Sequence, residues 1–133
     1  MRTYVEHLKT RRKTGLPSDK TIERLVTRVA EGEQLEGSIG VIFVDDSYMK
    51  ELNRKFRKRD RTTDVLTFPM KDEFQEEILG EIYISVDRAC AQAKEYGESL
   101  QREISRLVVH GLLHLAGYPH SRMKTKEKGY LSR

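Results

Sequence analysis

Apolar residues recur along the chain at two different periods, and the period predicts which segments form helices and which form strands. A stripe with the spacing i, i+3, i+4, i+7 follows Ser18 and indicates an amphipathic helix that Ser18 can cap. Its members are Ile22, Leu25, Val26 and Val29. The run "SIGVIFVDD", residues 38–46, is instead rich in β-branched residues and apolar at successive positions. A strand of this kind is buried on both faces, so we expect it in the interior of a sheet.

The same patterns predict three more strands and three more helices. The strands are "RTYVEHL" (2–8), "DVLTFP" (64–69) and "GEIYIS" (80–85), and the acidic loop "KDEFQEE" (71–77) is expected to join the last two as a hairpin. The helices begin after Asp45, Asp46 or Ser47, after Ser85 or Asp87, and after Ser99. In the second helix one side carries Met49, Leu52, Asn53 and Phe56, which we expect to face inward. The expected fold class is α/β (α+β), a single domain over residues 1–133 with a four-stranded mixed sheet packed with helices.

Composition indicates the cellular compartment and the class of partner that we expect for this protein. The single cysteine, Cys90, excludes an intramolecular disulfide and favours a reducing compartment. No apolar run has the length of a signal peptide core or a membrane span, so we expect a cytoplasmic protein with no membrane partner. The net charge is +4, and "RKFRKRDR" (54–61) holds six basic residues in eight. With "KTRRK" (9–13), this cluster indicates a polyanionic partner such as nucleic acid, the alternative being a highly charged solvated surface.

Candidate chemistry is concentrated in "VVHGLLHLAGYPH", residues 108–120, which holds three of the four histidines. His110 and His114 stand one helical turn apart, so their imidazoles project from one face. Gly117 is placed to end the helix, and Pro119 is expected to keep it from resuming, so that His120 folds back as a third ligand from a loop. Three imidazoles favour zinc, with nickel as another divalent ion they would accept, and leave one coordination position open, as in catalytic sites. The alternative is three histidines with ordinary surface or core roles.

The same histidine spacing occurs in metzincin proteases, where a glutamate follows the first histidine and serves as general base. Here that position is Gly111, and neither Leu112 nor Leu113 can replace the carboxylate. The missing base argues against a metallopeptidase.

The segment "HGLLHLAGYPH" resembles the signature H-G-x-L-H-L-x-G-Y-D-H of the YbeY-type endoribonucleases of ribosomal RNA maturation. "LNRKFRKRDRTTDVLTFPM" and "LGEIYIS" are similar to two further blocks of that family, so the resemblance covers most of residues 39–120. It implies a small α/β domain with a zincin-like metal-binding helix, His110, His114 and His120 as metal ligands, and Arg57 in the same cleft. It also implies a metal-dependent, single-strand-preferring endoribonuclease that acts in small-subunit rRNA processing and ribosome quality control. Two departures are Pro119, where the family has aspartate, and the short segment after the signature.

These features together define the expected machinery. Arg57 and His114 are the candidate catalytic residues, and Arg57 would stabilise the extra negative charge on a scissile phosphate. The nucleophile is left open between a hydroxide generated at the ion and the 2′-OH of the RNA. Backbone-phosphate contacts are expected from the remaining basic residues of the cluster. They are Arg54, Lys55, Lys58, Arg59 and Arg61.

The expected partners are an rRNA precursor and the small ribosomal subunit, with no organic cofactor. A non-catalytic RNA-binding assembly factor with a structural metal is the main rival, and Asp64 is expected to open a strand rather than to serve a ligand histidine.

Overall fold

A computed structural model describes residues 2–8, 10, 15–70 and 78–132 of the chain. These residues form four strands and five helices, which alternate as far as β3 and end in three consecutive helices. The elements are β1 (Arg2–His7), α1 (Asp19–Glu33), β2 (Ser38–Val44), α2 (Asp46–Arg57), β3 (Val65–Pro69), β4 (Ile78–Ser85), α3 (Val86–Tyr96), α4 (Leu100–Leu115) and α5 (His120–Leu131). The four strands and the first four helices were predicted from the sequence.

The strands form one mixed sheet in the order β1-β2-β4-β3. β1 and β4 both run parallel to β2, whereas β3 pairs antiparallel with β4, from Val65 opposite Ile84 to Pro69 opposite Gly80. The predicted mixed sheet and the interior position of β2 are therefore confirmed. The loop "KDEFQEE" and all of "KTRRK" except Thr10 lie outside the described residues.

The predicted helix caps are present at four helices. Ser18, Asp45, Ser85 and Ser99 each accept a hydrogen bond from the backbone N–H three residues later. Each such bond satisfies a donor that the first helical turn would otherwise leave unpaired. At the other end of α3, Gly97 has φ 65°, the left-handed conformation expected of a terminating glycine.

Helix α4 lies at the centre of the fold, in contact with α1, α3, α5 and the strands β3 and β4. The larger apolar core fills the space between these helices and one face of the sheet, with Phe43, Ile82, Leu107 and Leu112 among its fully buried residues. A smaller core on the opposite face packs α2 through Met49.

The prediction that Phe56 faces inward is wrong. Its side chain is 56% exposed and packs edge-on against Phe68 of β3, with ring centroids 5.4 Å apart. Because β3 is an edge strand, the last turn of α2 reaches the rim of the sheet and leaves one side of this ring in solvent. Met49 and Asn53, on the same helical stripe, are buried as expected.

The prediction that Pro119 prevents a further helix is also wrong. Helix α4 ends at Leu115, and Gly117 adopts φ 92° as predicted, but α5 begins at His120, directly after Pro119. Proline is compatible with this position because its missing N–H is not needed where no intrahelical acceptor exists. Among the described residues, no helix is both long and apolar enough to cross a membrane.

Candidate active site

The turn between α4 and α5 brings the three histidines together. The N–H of Tyr118 donates to the carbonyl of Leu113, and the N–H of Gly117 donates to that of His114. These two bonds form a Schellman motif, which reverses the chain and places His120 against the end of α4. The ring centroid of His120 lies 5.6 Å from that of His110 and 6.0 Å from that of His114.

The three imidazoles are a donor set that suits a divalent ion, and their spacing is slightly wider than one ion requires. Two imidazoles bound to one tetrahedral zinc at about 2.1 Å per Zn–N bond have ring centroids roughly 5 Å apart, close to the distances found here. Within the part of the chain that the structure describes, however, no group of three or more histidine, cysteine or carboxylate side chains is arranged closely enough to hold an ion. The three rings line one cleft, and their side chains would have to rearrange to bind a metal.

Glu127, on α5, orients one of the three rings. Its buried carboxylate has an oxygen 2.6 Å from Nδ1 of His110. Because an ionised carboxylate can only accept a hydrogen bond, this contact favours the tautomer with the proton on Nδ1. In this tautomer Nε2 carries the lone pair, which is the atom a metal would need. A carboxylate partner on the second nitrogen is the usual arrangement for histidines that bind metals.

The electrostatics of the cleft favour a neutral imidazole at His114. Burial lowers the pKa of His114, and the neighbouring His110, His120 and Arg57 lower it further. A lowered pKa keeps the ring unprotonated near neutral pH, and only an unprotonated imidazole nitrogen can bind a cation.

Arg57 lies in the same cleft as the histidines, as the resemblance implied. It is the last residue of α2, and its Nη2 donates to the carbonyl of Thr67 on β3 over 3.1 Å. This bond uses one of the five guanidinium N–H donors and fixes the head group at the cleft wall. The cleft has a volume of about 830 Å³ and runs from Arg57 to the three histidines.

The other predicted RNA contacts divide into two groups. Arg59 and Arg61 line the cleft, in the segment between α2 and β3. Arg54, Lys55 and Lys58 are absent from its lining among the described residues: Arg54 pairs with Glu51 and Lys55 lies by the Phe56 ring. The structure thus places two of these five side chains beside the histidines.

The segment that carries Arg59 and Arg61 is held by Asn53. The Asn53 side chain, buried on α2, donates to the carbonyl of Arg61, and the N–H of Arg59 donates to the carbonyl of Asn53. Lys58 permits the sharp exit from α2 by adopting φ 56°. Asp64 directly precedes β3, and its carbonyl accepts from the N–H of Ser85, in keeping with the expected structural role.

Comparison with known proteins identifies the family of this chain. The sequence model of the family described as Endoribonuclease YbeY matches residues 7–131. The chain belongs to this family. It is 40% identical to the Endoribonuclease YbeY of Carboxydothermus hydrogenoformans over 124 residues, 86% of this chain and 87% of that one. It is 47% identical to the Endoribonuclease YbeY of Aquifex aeolicus over 93 residues, 69% of this chain and 62% of that one. The solution structure of a Thermotoga maritima protein is similar with a TM-score of 0.67 and 32% identity, over 97% of this chain and 87% of that one.

Gly111 shows why this YbeY chain has no room for the base of a peptidase. A Cβ at this position would lie 2.8 Å from Cγ2 and 2.9 Å from Cδ1 of Ile82 on β4. Helix α4 therefore touches the sheet at Gly111, and a glutamate here would have to displace the buried Ile82 side chain. The similarity of α4 to the metal-binding helix of zincins stays a prediction.

Sequence reasoning missed two residues of this YbeY site. Arg88, on the first turn of α3, also lines the cleft. It lies far from Arg57 in the sequence, and only the packing of α3 brings the two residues into one cleft. Glu127 could have been found from the spacing of Met123, Glu127 and Tyr130, the buried residues of α5, which follows i, i+4, i+7. The many charged residues of this segment hid that stripe.

Proposed function

We propose that this YbeY family member is a metal-dependent endoribonuclease that cleaves single-stranded segments of ribosomal RNA precursors. The observation that carries the proposal is the cleft itself, where three histidines stand beside Arg57, Arg59 and Arg61. Its cationic lining suits a phosphodiester backbone. Precursors of the small ribosomal subunit are the substrate and partner that the family resemblance implies.

His110, His114 and His120 would hold the metal, which we take to be zinc, with nickel as the alternative. When bound, the ion supplies Lewis-acid polarisation of an oxygen ligand in the cleft. Glu127 holds His110 in the tautomer that presents Nε2, and the lowered pKa of His114 keeps that ring neutral. These residues prepare the donor set before the ion arrives.

Arg57 would act on the substrate directly. Anchored to the Thr67 carbonyl, its planar guanidinium can pair with the scissile phosphate and stabilise the charge that develops in the transition state. Arg59, Arg61 and Arg88 would contact neighbouring phosphates and set affinity rather than the rate of the chemical step.

The test is cleavage of a labelled single-stranded oligonucleotide from a ribosomal RNA precursor by zinc-loaded and chelator-treated protein. We expect cleavage only in the loaded state and a loss of about 100-fold or more in kcat for Arg57→Ala, the typical cost of removing a transition-state donor. Arg54→Ala is the matched control, since Arg54 lies on the same helix outside the cleft and pairs with Glu51.

Three results would overturn the proposal. RNA binding without cleavage would make the protein a non-catalytic assembly factor. Hydrolysis of a casein-like substrate would make it a peptidase despite Gly111. Equal metal content in wild type and His114→Ala would show that the histidines are not the metal site.

A further inference from the structure

A second arginine-lined groove lies between α1 and the first turns of α4. It has a volume of about 720 Å³, and its polar lining includes Arg24, Arg28, Arg102, Ser99, Gln101 and Ser105. In the described part of the chain no carboxylate lines it. This lining shares no residue with the histidine cleft, so the two grooves are separate sites.

The arginines come from two facing helices. Arg24 and Arg28 stand one turn apart on α1, and Arg102 is on α4, so the cationic groups converge from both walls. Arg24 and Arg102 are exposed. Arg102 pairs with Glu98 over 3.3 Å, but an exposed pair of this kind is worth little and yields readily to a stronger anion.

We propose that this groove is a second RNA-binding surface, which holds the phosphate backbone of the substrate away from the cleavage position. The inference rests on the proposed function, since it takes RNA as the substrate. Arginine, serine and glutamine side chains are the usual contacts to phosphate and sugar oxygens, and arginine can pair with a phosphate through two N–H groups. A groove of this volume is larger than one phosphate requires, which favours a polymer over a free anion.

The distance along α4 between this groove and the histidines sets how long an RNA must be to occupy both. Arg102 and His114 are twelve residues apart on this helix, or roughly 18 Å along its axis at 1.5 Å per residue. An RNA that occupies both grooves must therefore extend well beyond the nucleotides at the histidines. A short oligonucleotide would fill the cleft alone.

The experiment compares Arg24→Ala/Arg102→Ala with Lys50→Ala/Lys94→Ala, which removes two charges from exposed positions of α2 and α3 outside both grooves. Binding of a structured ribosomal RNA fragment is measured across a salt series. We expect the arginine variant to bind about tenfold more weakly and its salt slope to fall by about one per lost contact. Cleavage of a short single-stranded oligonucleotide should be unchanged, and the lysine control should bind like wild type.

Unfolding curves confirm first that both variants are folded, and Arg24→Lys/Arg102→Lys should recover most of the affinity because the charges return. Equal affinity and equal salt slope in the arginine variant and wild type would overturn the inference. The same result is expected if the groove binds an acidic protein instead of RNA. If the arginine variant binds more weakly with a reduced salt slope but wild type cleaves neither RNA, the proposed nuclease activity fails while the second binding surface stands.

Discussion

The carboxylate beside the histidines comes from a residue that the signature does not contain. Pro119 stands where the family signature has aspartate, and because its side chain has no hydrogen-bond acceptor, α5 starts without a side-chain cap. Glu127, seven residues after His120 on the same helix, reaches His110 instead. The carboxylate contact to the histidines is therefore made to His110, from two turns along α5.

Replacing Glu127 should weaken metal binding more than it weakens the fold. Glu127→Gln preserves side-chain volume but removes the charge that favours the Nδ1–H tautomer of His110. We expect zinc affinity, measured by competition with a chelating dye, to fall by about 10- to 100-fold, the usual cost of losing such a partner. Nitrogen NMR shifts of His110 in metal-free protein should show a loss of the Nδ1–H form.

Glu95→Gln is the control for this substitution, because it makes the same chemical change at an exposed position of α3. Its zinc affinity and the His110 tautomer should match wild type. An unaltered tautomer and affinity in Glu127→Gln would show that the charge of Glu127 does not orient His110 for the metal.

Two helical glycines should respond to alanine in opposite directions. Alanine in a helix interior gains about 1 kcal/mol over glycine from backbone propensity. At Gly129 a Cβ meets no atom within 4 Å, so Gly129→Ala should be more stable by up to about that amount. At Gly111 the Cβ would be 2.8 Å from Ile82, and overpacking costs about 1–3 kcal/mol, so Gly111→Ala should be net destabilised. Denaturant midpoints measure both changes, and stabilisation of Gly111→Ala would contradict close packing of α4 on β4.

At the scale of elements, period and caps were enough to predict four helices and four strands. Each predicted N-cap accepts a hydrogen bond from a backbone N–H only three residues later, so the local sequence is enough to predict it. The four caps are Ser18, Asp45, Ser85 and Ser99. Helix α5 is not predicted from the sequence, because a proline is expected to interrupt a helix. At the start of a helix, however, proline loses no hydrogen bond.

The contacts between elements were harder to predict than the elements. Periodicity indicates which face of a helix is buried but not which element covers it. Phe56 is therefore predicted to lie in the core, whereas the edge strand β3 leaves its side chain exposed. Arg88 and Glu127 enter the site from α3 and α5, outside the signature, and only the packing of these helices against α4 brings them there. His110 and His114, by contrast, share α4, and His120 follows the turn at its end, so local geometry brings the three together.

At the scale of the whole molecule, one carboxylate ties the first helix to the last. Glu33 at the end of α1 accepts hydrogen bonds from the Tyr118 and Tyr130 hydroxyls, and Lys126 lies 3.4 Å from its Oε2. Tyr118 belongs to the turn before His120, and the other two residues belong to α5. Glu33 thus holds in place the turn and the helix that supply His120 and Glu127.

This cluster should make stability depend on pH in a defined direction. Burial alone would raise the pKa of Glu33, but the two tyrosine hydroxyls and the Lys126 ammonium outweigh it and lower the pKa. A carboxyl whose pKa is lowered by folding stabilises the protein above its ordinary pKa, and that stabilisation is lost as the pH falls through the lowered value.

Glu33→Gln should therefore lose about 1–3 kcal/mol of unfolding free energy near neutral pH, with a smaller loss in acid. Denaturant unfolding from about pH 7 down to about pH 3 measures this difference, and Glu31→Gln, exposed on the same helix, should show almost none at any pH. A deficit of Glu33→Gln that stays constant or grows on acidification would show that the ionised carboxylate does not hold α5 to α1.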